Sequence, residues 1–133
     1  MYTSMEDKHN VKLYLLLPLV LSAFDRDIRL AEKAFKTPEP YVKLIEQAMD
    51  KVHQELKEVR QYMRTNGIKV YEELKTDKAI QAKYLCKGYH SEMHLLWSTA
   101  TASCRILMEK YLGLDVTKYK NPAVPMELQQ FDI

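Results

Sequence analysis

The chain has 133 residues, 47% apolar and 29% charged, with a formal net charge of +2. One domain is the default at that length, and enough surface can be buried to form a core without a disulfide or metal staple. The apolar content excludes wholesale disorder, and so small a net charge does not by itself point to nucleic acid or to a membrane.

The first helical pattern starts at Ser4 or Asn10 and runs to Phe35. Leu13, Leu17, Val20, Phe24, Ile28, Ala31 and Phe35 recur three and four apart, which marks one helical face. Around Leu15–Leu21 the helix is apolar on nearly every side and must be covered all round. Pro18 lacks a backbone donor, so a kink or a fresh start is expected there. Thr37-Pro38-Glu39 reads as the next helix start, a hydroxyl cap followed by proline and an acid. The second helix carries Ile45, Met49, Val52, Leu56, Val59 and Met63 as a heptad-like seam. Asn66-Gly67 ends it, with glycine free to take the left-handed cap conformation.

From Ile68 the period changes to two. Ile68, Val70, Glu72 and Leu74, then Ile80, Ala82, Tyr84 and Cys86, alternate with other residues around the turn Lys75-Thr76-Asp77-Lys78. A β-hairpin over about 68–86 is the favoured reading, with a helix from Thr76 as the alternative. A last long helix is expected over Tyr89–Leu112, with Tyr89, Met93, Leu96, Ala100, Cys104, Leu107 and Tyr111 as its stripe. Its small segment Ser98–Ser103 predicts a close helix crossing. The fold expected is therefore mainly α: three long helices, the first kinked at its proline, with a short hairpin between the second and third. An all-α bundle is the alternative. Residues 1–113 would form the domain and 114–133 a C-terminal tail.

Two cysteines, Cys86 and Cys104, do not make a disulfide framework and suit a reduced, cytoplasmic setting. The apolar run Val11–Phe24 imitates a signal peptide, but Glu6, Asp7 and Pro18 argue against export. It is also shorter than the roughly 20 residues that cross a bilayer, so no membrane partner is expected.

Three chemistries can be placed on this frame. Helix one is apolar over so wide an arc that two partner helices leave surface over, so a homo-oligomer burying Leu13, Leu17, Leu21 and Trp97, or a protein partner there, is expected. Basic residues concentrate in the middle of the chain: residues 51–87 hold nine Lys/Arg against five Asp/Glu. Arg64, Lys69, Lys75, Lys78, Lys83 and Lys87, with tyrosines interleaved, could follow a phosphate backbone. Glu55, Glu58, Glu72, Glu73 and Asp77 dilute that field. Cys86, His90 and His94 are four apart and on one continuous helix would offer a thiolate and two imidazoles to zinc. The hairpin reading separates them, so no cofactor is the first expectation and zinc the alternative. No phosphate loop, nucleophile elbow or placed Ser/His/Asp set is present.

The block Gly67-Ile68-Lys69-Val70-Tyr71-Glu72-Glu73, followed by Tyr84-Leu85-Cys86-Lys87-Gly88-Tyr89, resembles small helical proteins of Bacillus-type bacteria and their phages, of no assigned activity. That resemblance implies a cytoplasmic bacterial or phage origin and lends support to the hairpin, but it assigns no site residue. The functional expectation is a non-enzymatic helical interaction or regulatory module that self-associates. A nucleic-acid-binding regulator using the basic hairpin comes second, and a metal-dependent enzyme third.

Overall fold

The computed structural model describes residues 4–119. Helix α1 spans Met5–Ala34, α2 Glu39–Thr65 and α3 Trp97–Tyr111, and the strands are β1 Ile68–Lys75, β2 Ala79–Cys86 and β3 Tyr89–Leu96. The sheet is an antiparallel meander in the order β1-β2-β3. This corrects the expectation of a mainly α fold with three long helices and one hairpin, and it removes the all-α alternative. The segment Tyr89–Leu96, expected as the first half of helix three, is a third strand, and α3 is only 15 residues long.

A turn is the physical reason. Lys87 and Gly88 both have positive φ, 53° and 87°. Two such residues between paired strands are the geometry of a type I′ hairpin turn, whose twist matches that of the flanking strands. Cys86 therefore faces Tyr89, and the chain returns along β2 instead of winding into a helix.

Ser4 caps α1 through a capping box: its hydroxyl accepts from the Asp7 N–H at 3.0 Å, and its own N–H donates to the Asp7 carboxylate at 3.1 Å. The helix continues through Pro18, whose ring is exposed. For α2, the expected Thr37 cap is not used. Pro38 occupies the cap position and no side chain bonds to the helix start. Phe35 and Tyr41 stack edge to face at 5.1 Å across the short connection.

The core forms where α1 meets α2, α3 and the inner face of the sheet. Leu15, Leu16, Leu17 and Val20 are buried, joined by Val52, Leu56, Val59 and Met63 of the α2 seam and by Leu107 and Tyr111 of α3. From the sheet come Ile80, Ala82, Tyr84 and Cys86. The wide apolar arc of α1 is thus covered within one chain. Leu13 and Leu17, expected at an interface, are 4% and 0% exposed and lie in this core, and Leu21 is half-buried against it. Of the expected tail, Thr117–Tyr119 form a short 3-10 turn tied back by a Tyr119 hydroxyl bond to Glu109. Residues 120–133 lie outside the described residues.

Candidate functional site: an open sheet edge beside a buried polar node

The face each strand residue occupies follows from the register. Across β2 and β3 the partners are Ile80 with Leu95, Ala82 with Met93, Tyr84 with Ser91 and Cys86 with Tyr89, which defines the inner face. Gln81 with His94, Lys83 with Glu92 and Leu85 with His90 define the outer one. On the far side of β2, Leu74 meets Gln81, Glu72 meets Lys83 and Lys69 meets Leu85. Strand β1 carries a bulge between Val70 and Glu72. The outer face exposes Tyr71 and Leu74 among its charges, and the Tyr71 hydroxyl lies 3.0 Å from Nδ1 of His90.

Strand β3 is an edge. Trp97 donates its N–H to the Lys78 carbonyl at 3.0 Å, continuing the ladder that begins at the Cys86/Tyr89 pair. Antiparallel ladders alternate bonded and non-bonded pairs. Tyr89, Ser91, Met93 and Leu95 therefore bond to β2, and the N–H and C=O groups of His90, Glu92, His94 and Leu96 point away from the sheet. The Leu96 carbonyl, as the N-cap of α3, accepts in the first turn of that helix; among the described residues no other strand pairs with that edge. Apart from Leu95 the strand is exposed or half-buried along its length, and Tyr89 and Leu96 are both more than half exposed. Unlike β1 it has no bulge, and Glu92 is its one acidic residue.

Beside the β2–β3 turn, where the edge strand begins, is a polar node that sequence reasoning missed. The Asp7 carboxylate is 1% exposed. One oxygen accepts from the Tyr62 hydroxyl at 2.7 Å, and the other from Lys87 Nζ at 3.1 Å and the Cys86 thiol at 3.7 Å. Burial alone would raise this carboxyl's pKa. The bonds from Tyr62, the Ser4 N–H, Lys87 and the Ser4 hydroxyl outweigh burial and lower it to about 2. Tyr62 moves the other way, raised by burial and by its bond to the carboxylate. Gly67, at φ 66°, brings its carbonyl to the Lys87 N–H at 2.9 Å and completes the joint. The node ties the start of α1, the end of α2 and the β2–β3 turn together. Its groups are consumed in holding one another.

The residues expected to follow a phosphate backbone are dispersed. Lys87 is committed to Asp7, and Lys83 bonds to Glu72 at 3.4 Å with Glu92 on its other flank. Lys75 ends β1 and Lys78 sits in the β1–β2 turn. Arg64 and Lys69 do come together, with Arg60, Tyr14, Met63, Ile68 and Val70, around a hollow of about 270 Å³ that no carboxylate lines.

Cys86, His90 and His94 do not converge. Cys86 is buried on the inner face, whereas both histidines are exposed on the outer one. No group of three His, Cys, Asp or Glu that could hold a metal ion occurs among the described residues. Trp97 is half-buried and donates its indole N–H to the Thr76 carbonyl at 2.7 Å. It also lines a hollow of about 320 Å³ between α1 and α3 with Leu19, Arg26, Cys104 and Arg105. Burial raises the Cys104 thiol's pKa there, which lowers its thiolate fraction. Asp25 and Asp27 are paired with Arg29 and Arg26. Glu55 accepts a hydrogen bond from the Tyr111 hydroxyl, and its pKa is raised by burial, with Lys110 opposing and Glu58 adding.

No helix of the described residues is long and apolar enough to cross a membrane. The YhjD protein family model matches residues 2–116, and the chain belongs to that family. No curated protein and no solved structure matches it.

Proposed function

We propose that the chain is a non-enzymatic interaction or regulatory module of the bacterial or phage-infected cytoplasm that self-associates through its sheet. The observation that carries this reading is the open β3 edge, on which every second residue, His90, Glu92, His94 and Leu96, turns backbone groups away from β2. Such an edge is a template for another strand unless a protein blunts it. Edge β1 is blunted by its bulge and by Lys69, Glu72, Glu73 and Lys75, and β3 is not. Support for a non-enzymatic role comes from the ionisable groups with perturbed pKa values. Asp7 and Tyr62 bond each other, Glu55 is bonded by Tyr111, and the Cys104 thiol is shifted away from its reactive form. The test is native mass spectrometry of the wild type and a Glu92→Pro variant over a concentration series. Proline at this position removes only the outward N–H and no bond to β2, so the monomer should fold normally. The expected result is an oligomer in the wild type and a monomer of unchanged circular dichroism in the variant. A wild-type chain that stays monomeric, or an oligomer indifferent to the proline, refutes the reading.

A second reading, binding of single-stranded nucleic acid, is favoured by the Arg60, Arg64 and Lys69 hollow with its neighbouring Tyr14. Fluorescence anisotropy with a labelled oligonucleotide should then show affinity falling steeply with salt and with Arg60→Ala/Lys69→Ala. Binding that is absent, or unaffected by either change, removes it.

A further inference from the structure

We propose that the occupant of the β3 edge is β3 of a second copy, running antiparallel about a two-fold axis through Met93. The proposal rests on the preceding reading of β3 as a docking edge, and it adds the identity of the partner strand and its register.

Residues opposite each other in an antiparallel pair share a face. With a two-fold axis perpendicular to the sheet, each residue must meet one of the same parity, so the axis passes through a residue position. Centring on Glu92 would set the two Glu92 carboxylates against each other, and directly opposed like charges destabilise a strand pair. Centring on His94 would oppose the two imidazoles and leave each Glu92 facing Leu96. Centring on Met93 sets each Glu92 opposite the second copy's His94, twice over, and each His90 opposite the second copy's Leu96.

The same register engages every outward-pointing residue. His90, Glu92, His94 and Leu96 all fall in bonded pairs, so the N–H and C=O groups of the first three and the N–H of Leu96 find partners, the Leu96 carbonyl being shared with the first turn of α3. Met93 and Ser91 fall in the non-bonded pairs, Met93 against its own copy and Ser91 against the second copy's Leu95. The half-buried Met93 is thereby covered, and the apolar inner face continues from one copy to the next. Tyr89, 58% exposed, comes to the position of the second copy's Trp97. On the outer face the row reads Glu72, Lys83, Glu92, then the second copy's His94, so that neighbouring side chains along it are of complementary character.

The test uses cysteine cross-linking and charge exchange on the full chain. In a Cys104→Ser background, Met93→Cys places two thiols in a non-bonded pair, where the Cα separation of about 4.5 Å suits a disulfide. The expected result is a disulfide-linked dimer under mild oxidation, and no self-cross-linking of Ser91→Cys. His94→Glu, which opposes two pairs of carboxylates, should raise the dissociation constant roughly ten-fold or more, and Glu92→Lys added to it should restore association. Both positions are exposed, and because Glu92→Lys faces Lys83 across β2 within the monomer, a thermal melt of each variant is read beside its association. A wild-type dimer in which Met93→Cys does not cross-link and the charge exchange has no effect overturns this register and leaves the self-association reading standing. A wild type that is monomeric at every concentration removes both.

Discussion

The Asp7 node makes a quantitative prediction, because a buried carboxylate with a lowered pKa must contribute pH-dependent stability. Asp7→Asn keeps the side chain's shape and removes its charge. The carboxylate accepts from Tyr62, Ser4, Lys87 and Cys86, and an amide has only one oxygen to offer them. The lowering from the ordinary 3.8 to about 2 sets the scale of the loss. Each tenfold change in proton affinity is worth about 1.4 kcal/mol, so the ionised form gains about 2 to 3 kcal/mol on folding. Lys87 moderates rather than enlarges this figure, since its side chain is 34% exposed and its ammonium can turn to water when the carboxylate is removed.

The direction with pH follows from the folded value lying below the unfolded one. The contribution is complete above about pH 4 and is lost as pH falls towards 2. Urea unfolding of wild type and Asp7→Asn, followed by the fluorescence of the single tryptophan, should give a difference of about 2 to 3 kcal/mol at pH 7. That difference should narrow through pH 4 and largely close by pH 2. Other carboxylates titrate in both proteins and cancel, so the difference isolates this one. A variant as stable as wild type at pH 7, or a difference that does not change with pH, would refute the argument.

Three further outcomes can be measured on the same footing. Trp97→Phe loses the indole bond to the Thr76 carbonyl and should cost about 1 to 2 kcal/mol in chemical denaturation followed by circular dichroism. Glu55→Gln should stabilise the protein at neutral pH, because burial disfavours the ionised form of Glu55 and its folded pKa lies above the unfolded one. The gain should vanish in acid, where Glu55 is already neutral, and thermal melts at pH 7 and pH 3 check both halves. Gly88→Ala should cost about 1 kcal/mol or somewhat more, arising from the backbone alone, since φ is 87° and an added methyl meets nothing within 4 Å. A cost near zero in thermal denaturation would count against the type I′ turn.

Local signals in the sequence were legible where the structure that they specify is itself local. The α2 seam, the Asn66-Gly67 stop and the alternation of β2 are each encoded within a few residues. The node was not, because the partners of Asp7 lie 55 and 80 residues away, at Tyr62 and Lys87. An acid three residues after a serine reads from sequence as an ordinary capping or dipole feature of a helix start. Strand β3 was hidden for a different reason. Its turn begins with Lys87 in the left-handed region, where asparagine or aspartate would have announced a two-residue hairpin, and only Gly88 stood out. Met93, Leu96 and Ala100 then fall by coincidence at helical spacing, while outward-facing Leu96 blurs the alternation that marks a strand. The same turn separates the three residues that suggested zinc. Partners across the hairpin pair an even-numbered residue with an odd-numbered one, Cys86 with Tyr89 and Ala82 with Met93. The inner face therefore changes parity at the turn, and a spacing of four that would align Cys86, His90 and His94 on a helix sends the thiol into the core and the imidazoles to solvent. What the turn takes from the metal reading it gives to the edge: it places His94 and Glu92 on one exposed face, two apart, the spacing that a strand needs to complement a copy of itself.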